Sequence, residues 1–559
     1  MRTPDDAVLE RVGLILTATG IISAAVVRYA LDEARGEANG DAIFAYGFVL
    51  YLGLIAIAAA RRSPPFAPAL AFVAFATMYL SGAAEAQGNN LGLLLYISAG
   101  LLAYVASPPR LRTMTVAAFA LWTPAFRLFG PDPFGGFYPA SLAIAVVLAL
   151  LFLVLVLVAR REIDSDEQLR RAGLGLLAVA CVARISERHW VVASPTGLAP
   201  DDLWALVVVA VFAILTIAPA RRTVRDALAT GTALGAYLLS GIALIAGKPY
   251  HVDSVAVVHR ATEVFLAGGD PYRDVNITQA LERFGLDPRL ATHLIDGSAV
   301  QTFNYPALSF LVPAPFLAAG LQDIRYIYLA EIIVFVLLLI RLARVPWRPL
   351  VAAAVVGNGI ISRQNVLAGV DPLWAILVAF AFLFIARRWW SPICMGLAVA
   401  ARQPAWFFAP FYVLVVWRRS GRREAIRAAG VGAAAAILPN LPFFLASPGD
   451  FLSGVSAPMI EPLEPYGVGL IRFAMDGYMP FLPRLIYAVL TLASLAVLLF
   501  VLWRWSRRFP NGALVFPSLV LWFAWRSLQN YFSFAGVFAL IGNDTIGSDA
   551  VGSTADIAA

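Results

Sequence analysis

From Leu485 to Trp503 the chain reads LIYAVLTLASLAVLLFVLW, a stretch with no charged side chain and only Tyr487, Thr491 and Ser494 as polar interruptions. A helix gains 1.5 Å per residue, so roughly 20 such residues cross the ~30 Å of hydrocarbon in a bilayer. The run is continuous rather than alternating, which fits a helix that satisfies its own backbone in lipid and not a barrel strand. Ala140 to Ala159 repeats the pattern. Among the 559 residues 60% are hydrophobic and 14% charged, and the mean hydropathy is +0.77. A soluble core of this size cannot hide so much apolar surface. The expected fold class is therefore an all-α polytopic integral membrane protein, with the lipid bilayer as its first partner.

The net charge of +7 is spread over short arginine clusters between apolar runs, with Lys248 the single lysine. That distribution reads as a set of topology determinants and not as a nucleic-acid surface. Cys181 and Cys394 both sit in apolar stretches without metal-ligand spacing, so neither a disulfide framework nor a zinc site is expected. The first apolar run, Val12 to Ala30, has no convincing cleavage site and is followed by Asp32, Glu33 and Glu37. It reads as a retained first helix.

Residues 1–227 hold eight apolar segments, near 12–30, 42–60, 67–85, 91–106, 114–129, 140–159, 172–187 and 203–219. The loops carrying Arg61-Arg62, Arg110, Arg160-Arg161, Arg170-Arg171 and Arg221-Arg222 alternate with loops poor in arginine, which puts the N-terminus in the cytoplasm of a cell (plasma) membrane protein. Arg184 and Arg188 dissent from the alternation. A ninth helix, Leu228 to Gly247, delivers the chain to the far side and into its longest polar stretch, the outer loop 248–305. Within that loop Asp253 can cap a helix running to Ala267, and Asp274 can cap another through Glu282. Val255, Val258, Thr262 and Phe265 form an apolar stripe on the first of these, while Asp253, Arg260 and Glu263 project from a different face, as on a surface helix with its polar side toward a cavity.

Beyond Tyr305 the segments are shorter and less regular up to 542, and residues 543–559 read as a disordered tail. Arg387-Arg388 and the Arg418 to Arg423 cluster both belong inside, so the chain between them leaves and returns with a break at Arg402-Gln403-Pro404. Broken helices at membrane depth are tolerated where they line a protein-enclosed cavity. The segment 306–321 is not a simple crossing if Arg341, Arg344 and Arg348 are also inside, and its parity stays open. The total comes to about 16 to 18 crossings at one per 20 or so apolar residues.

A carboxylate at Asp253, a few residues past a spanning helix, sits at the lipid–water boundary, where it can take a proton from an acceptor hydroxyl; a plain helix cap is the competing account. Around it the chain runs DSVAVVHRATEVFLAGGDPY over 253–272, then Phe303-Asn304-Tyr305-Pro306-Ala307-Leu308, Arg363-Gln364-Asn365 and GLAVAARQP over 396–404. In order and spacing these pieces resemble the mannosyltransferase-like branch of the GT-C membrane glycosyltransferases, glycosyltransferase family 87, over roughly residues 228–540. The resemblance implies a GT-C-like helical module at 228–542 with extracytoplasmic loop helices. It also implies inverting transfer of a mannose-like sugar from a polyprenyl-phosphate donor to a glycolipid, glycan or protein acceptor, with Asp253 as general base.

Arg402 stands where the family carries lysine, and Arg363 precedes Gln364 in place of glycine. A guanidinium serves a phosphate through its bidentate fork, so Arg402, Arg363 and Arg260 are the candidates for the leaving phosphate, against snorkelling as the bland account. Asp270 and Tyr272 shape a turn or bind substrate, and Asn304, Tyr305, Gln364 and Asn365 join the site by resemblance. Glu263, His259 and His251 are candidates for a sugar or a divalent metal, with a solvated helix face as the alternative. Arg526, Gln529 and Asn530 are candidates for sugar hydroxyls. A transporter or flippase of a lipid-linked or polar substrate is the rival function, since broken helices and intramembrane arginines suit it as well.

Overall fold

The computed structural model describes Leu174, Leu177 and Cys181, then residues 222–356, 361–467, 469–475, 479–506, 512–534, 537–538 and 541. The other residues of the eight N-terminal segments, Arg184, Arg188 and the tail 543–559 lie outside the described residues. Among the described residues helix predominates, and the only sheet is a two-residue pairing of β1 (Tyr466–Gly467) with β2 (Arg526–Ser527), parallel.

The bundle is built from α1 (Arg222–Gly247), then the loop helices α2 (Asp253–Leu266), α3 (Pro271–Asp274), α4 (Ile277–Arg283), α5 (Leu308–Leu311) and α6 (Ala314–Ala318). It continues with α7 (Arg325–Leu342), α8 (Arg348–Val356), α9 (Leu373–Leu383), α10 (Trp390–Ala401), α11 (Ala409–Ser420) and α12 (Arg422–Ala446). The last elements are α13 (Pro448–Ile460), α14 (Ile471–Met475), α15 (Arg484–Trp505) and α16 (Gly512–Trp522). Three of these, from Asp226 to Gly247, from Arg422 to Ala446 and from Arg484 to Trp505, are long and apolar enough to cross a membrane. The exposed faces of α12 and α15 carry Leu438, Leu445, Leu485 and Leu492, which in water would be an aggregation surface and in lipid is an ordinary boundary.

Among the described residues two buried clusters stand out. One fills the bundle between α1, α7 to α11 and α16, with Phe335, Trp374, Phe408 and Phe516 among its members. The other holds the loop helices together around Tyr272, Phe303, Phe310 and Phe443, rings that meet edge-on or tilted at 5.0–6.2 Å. Full burial of one such ring contributes roughly 1.5–3 kcal/mol, so this layer is a second core and not a loose loop.

The segment 306–321 is not one continuous helix. Pro306, Pro313 and Pro315 chop the segment into α5 and α6, which lie against α2 within the loop layer instead of crossing the bundle. The chain then enters α7 from the loop end, at Arg325. This arginine is 2% exposed, pairs bidentately with Asp323, and donates from Nη2 to the carbonyls of Ile245 and Lys248 at 3.1 and 2.7 Å. It thereby serves the orphan carbonyls at the end of α1.

Two local expectations are corrected. Asn276, not Asp274, caps α4, its side chain accepting from the Gln279 N–H at 3.0 Å; Asp274 is drawn instead to the Asp270 N–H at 2.7 Å and to Arg273. The helix α2 is buried on nearly all sides, from Ser254 to Val264, and is not a half-exposed surface helix. Its outward groups are Arg260 and Glu263, which pair with each other and with Arg283.

Candidate functional site

The break in the chain at Arg402 is present: α10 ends at Ala401, Arg402 is extended (φ −160°, ψ 145°), and a 3-10 turn from Gln403 to Phe407 follows. The Gln403 side chain ties this turn to the loop layer by donating to the Asn304 carbonyl at 2.6 Å. Arg402 is 4% exposed, and its guanidinium lies over the Tyr305 ring, 4.5 Å from the centroid. A buried cation stacked on an aromatic face keeps its charge with little hydration. Among the described residues no carboxylate reaches ion-pair distance of it; Asp371, 3% exposed, acts on it from farther away.

Asp253 enters the same neighbourhood from α2. It is the first helical residue, Val252 standing at the cap position, and its carboxylate is not used as a cap. Oδ2 instead accepts a hydrogen bond from the Thr292 hydroxyl at 3.0 Å. Burial raises the carboxyl above the ordinary carboxylate range, and the Thr292 hydroxyl, the Ser254 N–H and the charges of Arg526 and Arg402 pull it partly back. Both cations are therefore felt at the carboxylate without closing an ion pair on it. A partly desolvated carboxylate is a stronger base than one in water.

Tyr305 interacts with both groups. Burial pushes its phenol up to about 12, with Arg402 pulling down and Asp253 pushing further up. Arg526 is carried by β2, whose register sets Arg526 opposite Tyr466 and Ser527 opposite Gly467; its Nη1 donates to the Glu464 carbonyl at 3.0 Å. Gly467 has φ 155°, and a Cβ there would lie 2.6 Å from the Ser527 nitrogen, so this pairing needs the glycine. Tyr531, in the turn after β2, feels both Arg526 and Arg402.

The remaining sequence candidates fall in three groups. Arg260 and Glu263 form the outward ion-pair set with Arg283, whereas the charges acting on the Asp253 carboxyl are those of Arg526 and Arg402. His259 is 6% exposed; its Nδ1 is 2.9 Å from the Tyr250 hydroxyl and its ring packs on Phe284 at 4.7 Å, which makes it an interior histidine whose pKa burial lowers. Among the described residues no three His, Cys, Asp or Glu side chains gather as a metal-binding set.

Asp270 and Tyr272 are structural in their contacts. Asp270 accepts from the Tyr272 N–H at 3.0 Å and from the Ser447 hydroxyl, and the Tyr272 hydroxyl donates to the Tyr305 carbonyl at 2.9 Å, which steadies Tyr305 from behind. Asn365 donates to the Val370 carbonyl at 2.6 Å within the π-helical turn from Ser362 to Leu367, and Gln364 accepts from the Val370 N–H through its backbone carbonyl at 2.8 Å. Asn304 contributes its carbonyl to Gln403, and Asn530 is buried beside Tyr531. The side chains of Arg363 and Gln529 lie outside the described residues. Thr292, Asp371 and Tyr531 were missed by sequence reading, and only the Tyr531 position had a signal, the polar and aromatic run from Trp525 to Tyr531.

Residues 303–528 match the model of glycosyltransferase family 87. That match bears out the family resemblance of the sequence and marks the chain as an enzyme, a glycosyltransferase. Arg402, Tyr305 and Arg526 fall within the matched stretch, and Asp253 precedes it. No curated protein and no solved structure matches the chain.

Proposed function

We propose, taking as premise the glycosyltransferase family 87 match of residues 303–528, that the chain transfers a mannose-like sugar from a polyprenyl-phosphate donor to an extracytoplasmic acceptor, with inversion. The observation that carries this reading is the Asp253 carboxylate, held by Thr292 and raised by burial, in the joint field of Arg402 and Arg526. The acceptor hydroxyl oxygen attacks the anomeric carbon as its proton passes to Asp253. The bond from that carbon to the phosphate oxygen breaks, and its electron pair leaves with the lipid phosphate. Arg402, with Arg526, meets the charge that develops there. One displacement with no covalent enzyme intermediate inverts the anomeric centre.

The arginine placement supports an orientation. Arg387, Arg388, Arg418, Arg419, Arg422 and Arg423 flank the start of α10, the end of α11 and the start of α12, at the other end of α10 from the Arg402 break, and on our reading the positive-inside rule assigns that end to the cytoplasm. The Asp253 group then faces the extracytoplasmic side of the cell membrane in a multi-pass GT-C-like bundle. The test is incubation of the purified chain with mannosyl polyprenyl phosphate and membrane glycolipid or glycan acceptors, followed by assignment of the new linkage. Transfer with inversion is expected; no transfer from any polyprenyl-phosphate sugar would overturn the reading.

A further inference from the structure

Residues 292–300 fold back on themselves as a hairpin. The Val300 N–H donates to the Thr292 carbonyl at 2.8 Å and the Leu294 N–H to the Ser298 carbonyl at 2.7 Å. Gly297, at φ 85°, makes the turn, and the Asp296 carboxylate closes it by accepting from the Ser298 N–H and hydroxyl at 2.9 and 2.6 Å. Backbone groups alternate in direction along a strand, so the groups of the first leg that face away from the hairpin pair with residues 462–464. The Glu464 N–H donates to the His293 carbonyl at 2.9 Å and the Ile295 N–H to the Pro462 carbonyl at 2.8 Å, with Leu294 opposite Leu463. Two neighbouring side chains then grip the same segment: the Trp525 indole N–H donates to the Leu463 carbonyl at 2.7 Å, and Arg526 Nη1 to the Glu464 carbonyl at 3.0 Å.

Two of the groups that steady the Asp253 carboxylate therefore hang on one segment. Thr292, which donates to Oδ2 at 3.0 Å, is next in chain to His293, whose carbonyl takes the Glu464 N–H. Arg526, whose charge acts on the same carboxyl, donates to the Glu464 carbonyl. The segment is anchored in turn by the first turn of α15. Arg484 donates to the carbonyls of Met459 and Ile460, and the buried Tyr487 meets the Trp525 ring edge-on at 5.2 Å. Leu463 is buried as well, so water does not readily replace the indole at its carbonyl. Of the side chains that hold this segment, Arg484 and Arg526 carry charge and Trp525 does not, so the indole bond can be removed with the field at Asp253 left intact.

We propose that Trp525 is a positioning residue of the transfer reaction, which by holding the Leu463 carbonyl keeps the 462–464 segment in register between Thr292 and Arg526 and so sets the Asp253 carboxylate. The proposal rests on the proposed function, in which Asp253 is the base, and adds the residue through which α15 reaches it. The indole bonds to Leu463 and packs on Tyr487, so its effect on the reaction runs through other groups. Small misplacements of a reacting group by a change remote from the chemistry are costly to rate.

The test is sugar transfer from mannosyl polyprenyl phosphate by the purified full chain, with kcat, donor KM and the pH profile of kcat/KM recorded beside the melting temperature. Trp525→Phe keeps a ring against Tyr487 and loses the N–H. It should lower kcat roughly tenfold and leave donor KM within about twofold, the pattern of a misplaced catalytic group. It should also move the acid limb to higher pH. The groups acting on the Asp253 carboxyl are Thr292, the Ser254 N–H, Arg526 and Arg402, with Tyr305 beside it. Loosening Thr292 and Arg526 takes stabilisation from the charged form, so the base is lost at a higher pH as pH falls. Combined with Thr292→Val, the displacement should be smaller than the sum of the two, as for residues that act through one another. Tyr487→Leu removes the seat of the indole and should move the limb the same way; it is the deciding variant if Trp525→Phe does not fold. Tyr412→Phe, which gives up a buried hydroxyl bond to Ser391 at 2.7 Å, should lower the melting temperature and leave the limb in place. A parental kcat and acid limb in folded Trp525→Phe, or failing that in Tyr487→Leu, would overturn the proposal. No transfer by the parent, or an acid limb that Thr292→Val does not move, would instead overturn the functional reading on which it stands.

Discussion

The guanidinium of Arg402 lies 4.5 Å from the centroid of the Tyr305 ring. The contact joins the end of α10 to the strand-like lead into α5, two segments nearly a hundred residues apart, and it holds a cation in a buried place with no carboxylate in ion-pair reach among the described residues. A charge left free of an acidic partner is available to an anionic ligand.

Arg402→Ala should therefore lower kcat by roughly 10²–10³-fold, the loss typical of a single removed group that stabilises developing negative charge. Arg402→Lys should recover part of the rate, since it keeps the charge and loses the fork. Steady-state sugar transfer checks both. By contrast Arg260→Gln, which touches the outward Glu263 pair, should stay within about twofold of the parent, as exposed pairs contribute little.

Thr292→Val should move the acid limb of the pH–rate profile to higher pH. Burial raises the Asp253 carboxyl, and the Thr292 hydroxyl opposes that rise by donating to the charged form. Without it the carboxyl goes higher still. A base must be deprotonated to act, so activity is lost as pH falls through the raised value, and the variant should lose it at a higher pH than the parent. The alkaline plateau should be retained. Measuring kcat/KM against pH reads the displacement.

Arg325→Met should destabilise the fold by about 3–5 kcal/mol, because it leaves Asp323 without its partner and three backbone carbonyls without a donor. Pairing it with Asp323→Leu should restore part of the loss, because the uncompensated charge goes too. Thermal unfolding in detergent compares the three proteins.

Gly369→Ala should slow transfer more than it weakens folding. The residue has φ +70°, where alanine costs about 1–2 kcal/mol, and its Cβ would lie 2.8 Å from the Val255 Cβ on α2, two residues from Asp253. The strain falls on the helix that aims the carboxylate. Activity and melting temperature measured together separate the two effects.

Much of this was legible because it is local in the sequence. Apolar runs define helices, and Pro404, two residues past Arg402, marks the break there. Asp253 stands out as the carboxylate just past the end of a spanning helix. What stayed hidden depends on contacts far apart in the chain: Thr292 lies thirty-nine residues from the carboxylate it holds, and Asp371, which acts on Arg402, stands in the lead into a different helix. The outward turn of Arg260 and Glu263 was hidden for the same reason, since Arg283 arrives from α4 to claim them. The capping of α4 was misjudged where two good caps, Asp274 and Asn276, stand two residues apart and Asp270 draws one of them away.

The most direct measurement is single-turnover sugar transfer by Asp253→Asn beside the parent, with donor binding measured on both. The amide keeps the shape and the Thr292 contact but takes no proton, so the rate should fall roughly 10²–10⁴-fold, the contribution of a general base, while the donor binds about as tightly as before. Transfer at the parental rate by the folded asparagine variant would contradict the account.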